Sequence, residues 1–257
     1  MGVDVVVINY HTDDLLHSFI DSFATHCWSG ECKLTVVDVG VDQDSETLTP
    51  DPWGMNWIST RENVGYGQAC NTGAAVGTND VILLANADTL LSDGFKECYD
   101  TLMAHDDWGV LGPRQVNEMN QITAGGIFGS DRAPQQRGWN QLDNGQFSDV
   151  RDDAITISGS LYFIKRSLWV ELTKCPLYKE AAPEAMGAFL PTKHYFEETF
   201  CSYHARSHGY KCVYYGPVQM MHYWHKSSDY GGWADRQFNE SQATHRNACQ
   251  IHGIICE

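Results

Sequence analysis

The chain is poor in basic charge. Only 17 Lys and Arg stand against 33 Asp and Glu, a formal balance of −16 with histidine neutral, and the cations are scattered singly. Such a surface repels nucleic-acid phosphates and acidic membranes unless a local basic patch intervenes, and the sequence contains no basic run. It also lacks any apolar stretch near the roughly 20 residues that a membrane-spanning helix requires. No leader with a cleavage pattern precedes the first apolar segment, which begins at Val3. None of the nine cysteines forms a Cys-x-x-Cys pair, and the nearest two, Cys27 and Cys32, have four residues between them. They read as reduced, mostly structural thiols of a soluble, cytoplasmic protein. Internal repeats, low-complexity tracts and interdomain linkers are missing too, so residues 1–257 are expected to form a single domain.

What is present is the material of a folded enzyme-sized domain. Apolar residues make up 42% and charged ones 19%, a balance that fits a packed core and not disorder. Eight Trp and twelve Tyr are enough to line a sugar or base pocket, although core filling accounts for most of them.

Residues 3–9 read as an apolar strand that closes on Asn9-Tyr10-His11-Thr12. Thr12-Asp13-Asp14 then opens a helix with Leu15, Leu16, Phe19, Ile20 and Phe23 at helical spacing. A second strand over 33–39 closes near Asp38, and 57–60 is a short third one. Residues 68–76 read as a helix of small residues. The clearest buried strand, 81–85, ends at Asn86-Ala87-Asp88. Strands and helices in alternation predict an α/β fold, a mostly parallel central sheet with helices on both faces. Ligands bind such sheets beyond the carboxyl ends of the strands, and here those ends carry Asn9, Asp38 and Asp88.

The second half is less regular. Residues 125–145 read as a long functional loop, and 155–164 as one or two strands around Gly159. A helix over 200–208 is expected to end at a Gly209 cap, and a strand over 210–215 to stop at Pro217.

Several groups can do chemistry. Asn86 and Asp88 offer two oxygens to a hard divalent cation, or simply cap the strand with a polar turn. Asn63, Gly65, Gly67, Asn71 and Gly73 mark a place where backbone approaches a ligand or a helix packs closely, at a helix start suited to an anion. Glu197 and Glu198 supply either a general base or acids that complement a helix N-terminus. His222 and His225 are three apart, as metal ligands or as core hydrogen-bonders. Arg132 and Arg137, in the 125–139 loop, either close over a donor or belong to a solvated surface.

In this order the segments resemble glycosyltransferase family 2, the inverting transferases with a Rossmann-like GT-A fold. The resemblance runs over nearly the whole chain: Ile8-Asn9-Tyr10, Val36-Val37-Asp38, the run from Asn63 to Gly73, Leu83-Leu84-Ala85-Asn86-Ala87-Asp88, Ser158-Gly159-Ser160, Phe196-Glu197-Glu198, His222 and His245-Arg246-Asn247. It is most like that to bacterial rhamnosyl and galactofuranosyl transferases. The resemblance implies a donor-binding half over 1–115 and an acceptor and catalytic half over 116–257. It implies a UDP-, dTDP- or GDP-linked sugar held by Asn9, Tyr10, His11, Asp38, Asn63, Gly65, Asn86, Ala87 and Gly159. Mn2+ or Mg2+ would sit on Asp88, His222 and Asn86, and Glu198 would be the base with Glu197 as its alternative. Two departures from the family pattern stand out: Asn86 replaces the more familiar first acid, and the acidic pair contains no Asp. The implied acceptor is a glycan or glycoconjugate, with proteins and hydroxymethylated pyrimidines in DNA as other acceptors. The alternatives from other classes are a non-catalytic nucleotide-sugar-binding module and a sugar-phosphate nucleotidyltransferase. The latter would call for a basic, glycine-rich phosphate loop near the N-terminus, and Asn9-Tyr10-His11-Thr12 is not one.

Overall fold

The computed structural model describes residues 2–28, 30–40, 54–130, 133–223 and 233–254. Its first half runs β1 (Val3–Asn9), α1 (Asp13–His26), β2 (Cys32–Val39), β3 (Asn56–Thr60), α2 (Tyr66–Ala74), β4 (Val81–Asn86), β5 (Thr89–Leu90) and α3 (Phe95–Ala104). There follow β6 (Trp108–Val116), β7 (Ile122–Ala124), β8 (Ile127–Ser130), β9 (Ala133–Gln136), β10 (Val150–Ala154) and β11 (Leu161–Lys165). The chain continues through α4 (Arg166–Lys174), α5 (Pro176–Ala181), α6 (Glu197–Ser207), β12 (Lys211–His222) and α7 (Trp233–His252).

Ten strands form one sheet in the order β10-β12-β6-β11-β4-β1-β2-β3, with β5 beside β12 and β7 beside β6. β4, β1, β2 and β3 run parallel, as do β6 and β12, and β11 lies antiparallel between β4 and β6. Because β11 is opposed to both neighbours, the two groups share one direction. The sheet is therefore mixed but mostly parallel, as expected, and it draws strands from both halves of the chain.

Alternation along the strands divides the apolar residues between two cores. Val5, Val7, Leu83 and Phe163 meet Leu16, Phe19 and Phe23 of α1 and Phe95 and Leu102 of α3. Val6, Ile8, Ile82 and Leu84 meet Ala69 and Cys70 of α2, Leu168 and Leu172 of α4 and Cys201 and Ala205 of α6. Each fully buried side chain of this size contributes about 1.5–3 kcal/mol, so strands covered on both faces are the stable element of the fold. A third cluster, with Tyr178, Phe200, Tyr203, Ala248 and Cys249, joins α5, α6 and α7. Among the described residues no helix is long and apolar enough to cross a membrane, and the eight described cysteines are all free.

The shared direction brings the carboxyl ends of the parallel strands to one edge. Asn9 pairs with Asp38, Ile8 with Asn86, and Val116 with Met221 beside His222. The opposite edge is closed structurally. Arg166 Nη2 pairs with the buried Asp4 carboxylate at 2.7 Å, and Arg166 Nε donates to the Asn79 carbonyl at 2.6 Å.

Three expectations are corrected in the second half. Pro217 does not end the last strand: β12 continues to His222, and its register against β6 jumps from Tyr215–Pro113 to Gln219–Arg114. Residues 216–218 therefore form a bulge with only Pro217 exposed, and a bulge tolerates a proline because no ladder N–H is needed there. The 125–145 segment is not a plain loop, since β8 and β9 pair in it as a hairpin. Residues 155–160 form only an isolated bridge and a turn, and the strand starts at Leu161.

Candidate active site

One corner of the edge is built from the ends of β1 and β2. Asn9 is buried, and its Nδ2 donates to Asp38 Oδ1 at 3.0 Å and to Asp13 Oδ1 at 2.8 Å. Its Oδ1 accepts from Thr12 N–H at 3.2 Å and from the Thr12 hydroxyl at 2.8 Å. Asn9 thus folds the turn into α1 and aims Asp38. Burial raises the proton affinity of Asp38, and the Asn9 hydrogen bond opposes that rise. The Tyr10 ring lies tilted against that of His11 with centroids 4.4 Å apart, and His11 is exposed and in the left-handed region at φ 57°.

Asn63 accepts the Gly65 N–H on its Oδ1 at 2.9 Å, a turn leading into α2. The glycines here meet protein backbone. A Cβ on Gly65 would stand 2.6 Å from the Thr192 carbonyl oxygen, and one on Gly67 would stand 2.0 Å from that of Leu190. Tyr66 N–H, at the α2 start, donates to Lys193 O at 2.9 Å. Asn71 completes the staple, donating to Phe189 O at 2.9 Å and accepting Phe189 N–H at 3.0 Å. The run from Asn63 to Gly73 therefore docks the segment 187–193, which leads into the acidic pair.

A second corner depends on the two-residue strand β5. It pairs Thr89 with His222, and Tyr223 N–H donates to the Asp88 carbonyl at 2.8 Å. Asp88, 1% exposed, then lies with its Oδ1 3.5 Å from His222 Nε2. The other His222 nitrogen, Nδ1, is buried without a hydrogen-bond partner among the described residues. A carboxylate beside an imidazole is a donor set that suits manganese or magnesium. Asn86, two residues before Asp88, is partly exposed, and its N–H donates to Ser160 O at 3.0 Å. Ala87 between them is buried. His225 and Arg132 lie outside the described residues.

The acidic segment is strained. Tyr195 and Phe196 hold φ of 74° and 70°, two successive non-glycine residues in the left-handed region immediately before α6. Such backbone persists only where its surroundings enforce it, commonly at functional sites. Here Thr192 supplies part of the enforcement, its hydroxyl lying 2.8 Å from Glu197 Oε2 and 3.0 Å from the Tyr195 carbonyl. Glu197 is buried against α2, its Cβ 3.2 Å from the place a Gly67 side chain would take. Glu198 faces the other way. Its side chain lies 3.5 Å from where a Gly159 Cβ would be, and its Oε2 is shielded from solvent with no hydrogen-bond partner among the described residues. Burial raises both carboxyls from the ordinary range toward neutral pH, and at Glu197 the neighbouring Glu198 charge adds to the rise.

A chain of contacts links these corners. The Tyr66 hydroxyl donates to Gly159 O at 2.7 Å, Gly159 abuts Glu198, and Ser160 holds Asn86. His194 is within electrostatic range of Asp88, and burial pushes it down to about 4, so it is a neutral imidazole at neutral pH. Asp88, His222 and Glu198 thus belong to one edge of the sheet. Sequence reasoning missed three residues there: His194, Thr192 and Gln115. Gln115 accepts from Ser160 Oγ at 2.7 Å, while its buried Nε2 has no partner among the described residues. No local pattern marks them. The one available signal was the placement of His194 just before Tyr195-Phe196-Glu197-Glu198.

Beside the acidic segment lies a cavity of about 740 Å³, lined by Phe196, Thr199, Tyr203, Phe238, His245 and Arg246, with Ile127 and Pro134 of the hairpin on its rim. His245 stacks on Phe196 at 5.2 Å. Arg137 is held away from it, bound to Asp149 Oδ1 at 2.6 Å and laid over the Phe147 and Tyr214 rings.

Neither any protein-family model nor any curated protein sequence matches the chain. Solved structures do. S. aureus TarS residues 1–349 superimposes with a TM-score of 0.62 at 12% identity, covering 98% of this chain and 69% of that one. GalNAc-T7 with UDP, GalNAc and Mn2+ gives 0.63 at 15% identity, over 94% of this chain and 48% of its own. The mannosyltransferase PcManGT from Pyrobaculum calidifontis, in complex with GDP-Man and Mn2+, gives 0.59 at 15% identity, over 97% and 73%. The chain spans about half of GalNAc-T7 and about seven tenths of the other two. At these identities the likeness establishes a shared fold.

Proposed function

We propose that the chain is an inverting, metal-dependent glycosyltransferase of the family 2 kind, moving a hexosyl or pentosyl unit from a nucleotide-sugar to an acceptor hydroxyl. The observation that carries this reading is Glu198. It is a carboxylate of raised proton affinity with a shielded, unbonded oxygen, on the same edge where Asp88 and His222 meet. Support comes from two proteins of this fold whose structures hold a nucleotide or nucleotide-sugar together with Mn2+.

Residues 1–115 hold the donor in this proposal, and residues 116–257 supply the acceptor side and the base. Asp38, aimed by Asn9, takes the nucleoside, with Tyr10, His11 and Asn63 around it and Gly65, Ala87 and Gly159 lining the approach. Asp88 and His222, with Asn86 beside them, would hold Mn2+ or Mg2+, which when bound supplies positive charge for the departing diphosphate. Glu198 accepts the acceptor hydroxyl's proton while that oxygen bonds to the anomeric carbon from the face opposite the diphosphate. The bond to the diphosphate oxygen breaks with its electron pair, so the configuration inverts and no protein acid is required. Glu197, turned into α2, shapes the pair and does not reach the acceptor. The aromatic cavity beside Glu198 suits a sugar ring, which favours a glycan or glycoconjugate acceptor. The proposed setting is the cytoplasm.

Incubation with UDP-, dTDP- and GDP-linked sugars and manganese tests the reading. One donor class should be consumed only with metal, and mass spectrometry should find one glycosyl unit added among soluble glycans, lipid-linked sugars, proteins or hydroxymethylated DNA. If no donor is bound or consumed under any of these conditions, the proposal fails.

A further inference from the structure

A second group of ligand-type side chains lies apart from the proposed reaction. Cys175 sits between α4 and α5, His204 on α6 and His252 at the end of α7. Each presents a ligand atom within 4.8 Å of the other two. Cys175 Sγ and His252 Nε2 are 3.5 Å apart. A thiolate at about 2.3 Å and an imidazole at about 2.0 Å from one tetrahedral zinc ion would stand at about that separation.

His204 provides an independent observation. It is fully buried, and neither ring nitrogen has a hydrogen-bond partner among the described residues. A neutral imidazole carries one donor and one acceptor, and a core position normally satisfies at least one of them. The rings packed around it include Tyr178 at 5.5 Å, Phe200 at 5.9 Å and His252 at 4.3 Å. Packing accounts for an aromatic surface there but not for two idle nitrogens. Burial also pushes His204 down to about 3 and lowers His252, so both imidazoles are neutral with a lone pair available. His208, whose ring is 4.9 Å from that of His204, is engaged by Glu171 through its Nδ1 at 2.6 Å.

We infer that Cys175, His204 and His252 form a zinc site, one thiolate and two imidazoles, that clamps α7 and the start of α5 onto α6. Binding would release the Cys175 thiol proton to solvent, with the fourth position left to water. Zinc suits this mixture of sulfur and nitrogen, whereas manganese and magnesium prefer the oxygen-rich corner at Asp88. The two sites are thus chemically distinct. His204 lies seven residues after Glu197, about 10 Å along α6. The clamp would therefore steady the helix whose first turn carries both acids.

The experiment uses the full chain purified without chelator. Elemental analysis should find about one zinc ion per chain, retained by Asp88→Ala. After zinc is stripped, cobalt(II) titration should produce a thiolate-to-cobalt charge-transfer band that Cys175→Ser abolishes and Asp88→Ala does not. His204→Ala could fail to fold, so Cys175→Ser, with its circular dichroism compared with wild type, carries the test. Folded wild-type protein with no such band at saturating cobalt would overturn the inference. So would a band that persists unchanged in Cys175→Ser. Because the readout is spectroscopic, loss of transferase activity has no bearing on it.

Discussion

Asn9 and Glu198 stand on the same edge of the sheet and are built in opposite ways. Asn9 uses both its amide hydrogens and its oxygen on Asp13, Asp38 and Thr12 within the first two strand ends. Glu198 follows two strained residues, and its Oε2 has no hydrogen-bond partner among the described residues. The first corner is a rigid scaffold with its polar groups already satisfied. The second buries a carboxyl group with one oxygen unbonded among the described residues, while hydrogen bonds from Thr199 favour its charged form against the cost of burial. The proposed division of roles fits that difference, since preorganised contacts suit donor binding and a carboxyl of raised proton affinity suits taking a proton.

The sharpest way to break the comparison is to remove the charge at Glu198. Glu198→Gln should lower single-turnover transfer about a hundredfold or more while leaving nucleotide affinity intact. Glu197→Gln, placed against α2, should act far less on turnover and more on stability. Equal losses from the two variants would erase the distinction between reacting and supporting acid. Next in size is the metal corner. Asp88→Ala should weaken binding of the nucleoside diphosphate in manganese about ten- to a hundredfold, with little change when metal is absent. Calorimetry with and without manganese reads both values, and unchanged affinity in manganese would remove Asp88 from the role.

The same contrast decides what could be read from the sequence. β1, β2 and β4 are local patterns of consecutive apolar residues, so they and their terminal Asn9, Asp38 and Asp88 were legible. β6 is just as buried, but Gly109, Gly112 and Pro113 interrupt its pattern. β12 was cut short because the bulge that shelters Pro217 depends on its partner strand. The glycines near Asn63 pointed to a close approach without saying to what. Their neighbour is the backbone of 190–193, more than a hundred residues away. His194 and Thr192 acquire meaning only through that docking, and Cys175, His204 and His252 are separated by 29 and 48 residues.

The docking itself can be tested by adding one carbon. Gly67→Ala places a Cβ 2.0 Å from the Leu190 carbonyl oxygen and 3.2 Å from the Glu197 Cβ. Overpacking of this kind costs about 1–3 kcal/mol. Because the clash is with backbone that leads into the acidic segment, turnover should fall along with stability, and manganese-dependent nucleotide binding should fall less. A fully active Gly67→Ala protein in denaturant titrations of unchanged midpoint would show that α2 does not position the pair.

The smallest effect follows from the direction of the carboxyl shifts. Glu197 and Glu198 bind protons more tightly in the folded chain than an exposed glutamate does. Between the unfolded value, about 4.3, and the raised folded value, the native state holds more protons than the unfolded one. Stability from this source is therefore complete at acid pH and is lost as pH rises toward neutrality and beyond. Glu198→Gln cannot ionise and escapes its share of that loss. Its melting temperature should match wild type near pH 4 and exceed it near pH 8. For a chain of this length each kcal/mol is worth roughly 2–4 °C, and a gain on the order of one such step is expected. Activity would run the other way, rising with pH as Glu198 gives up its proton in wild type and staying flat in the variant. A variant that melts below wild type at pH 8 would mean that the hydrogen bonds from Thr199 outweigh burial at this carboxylate, and the contrast with Asn9 would collapse.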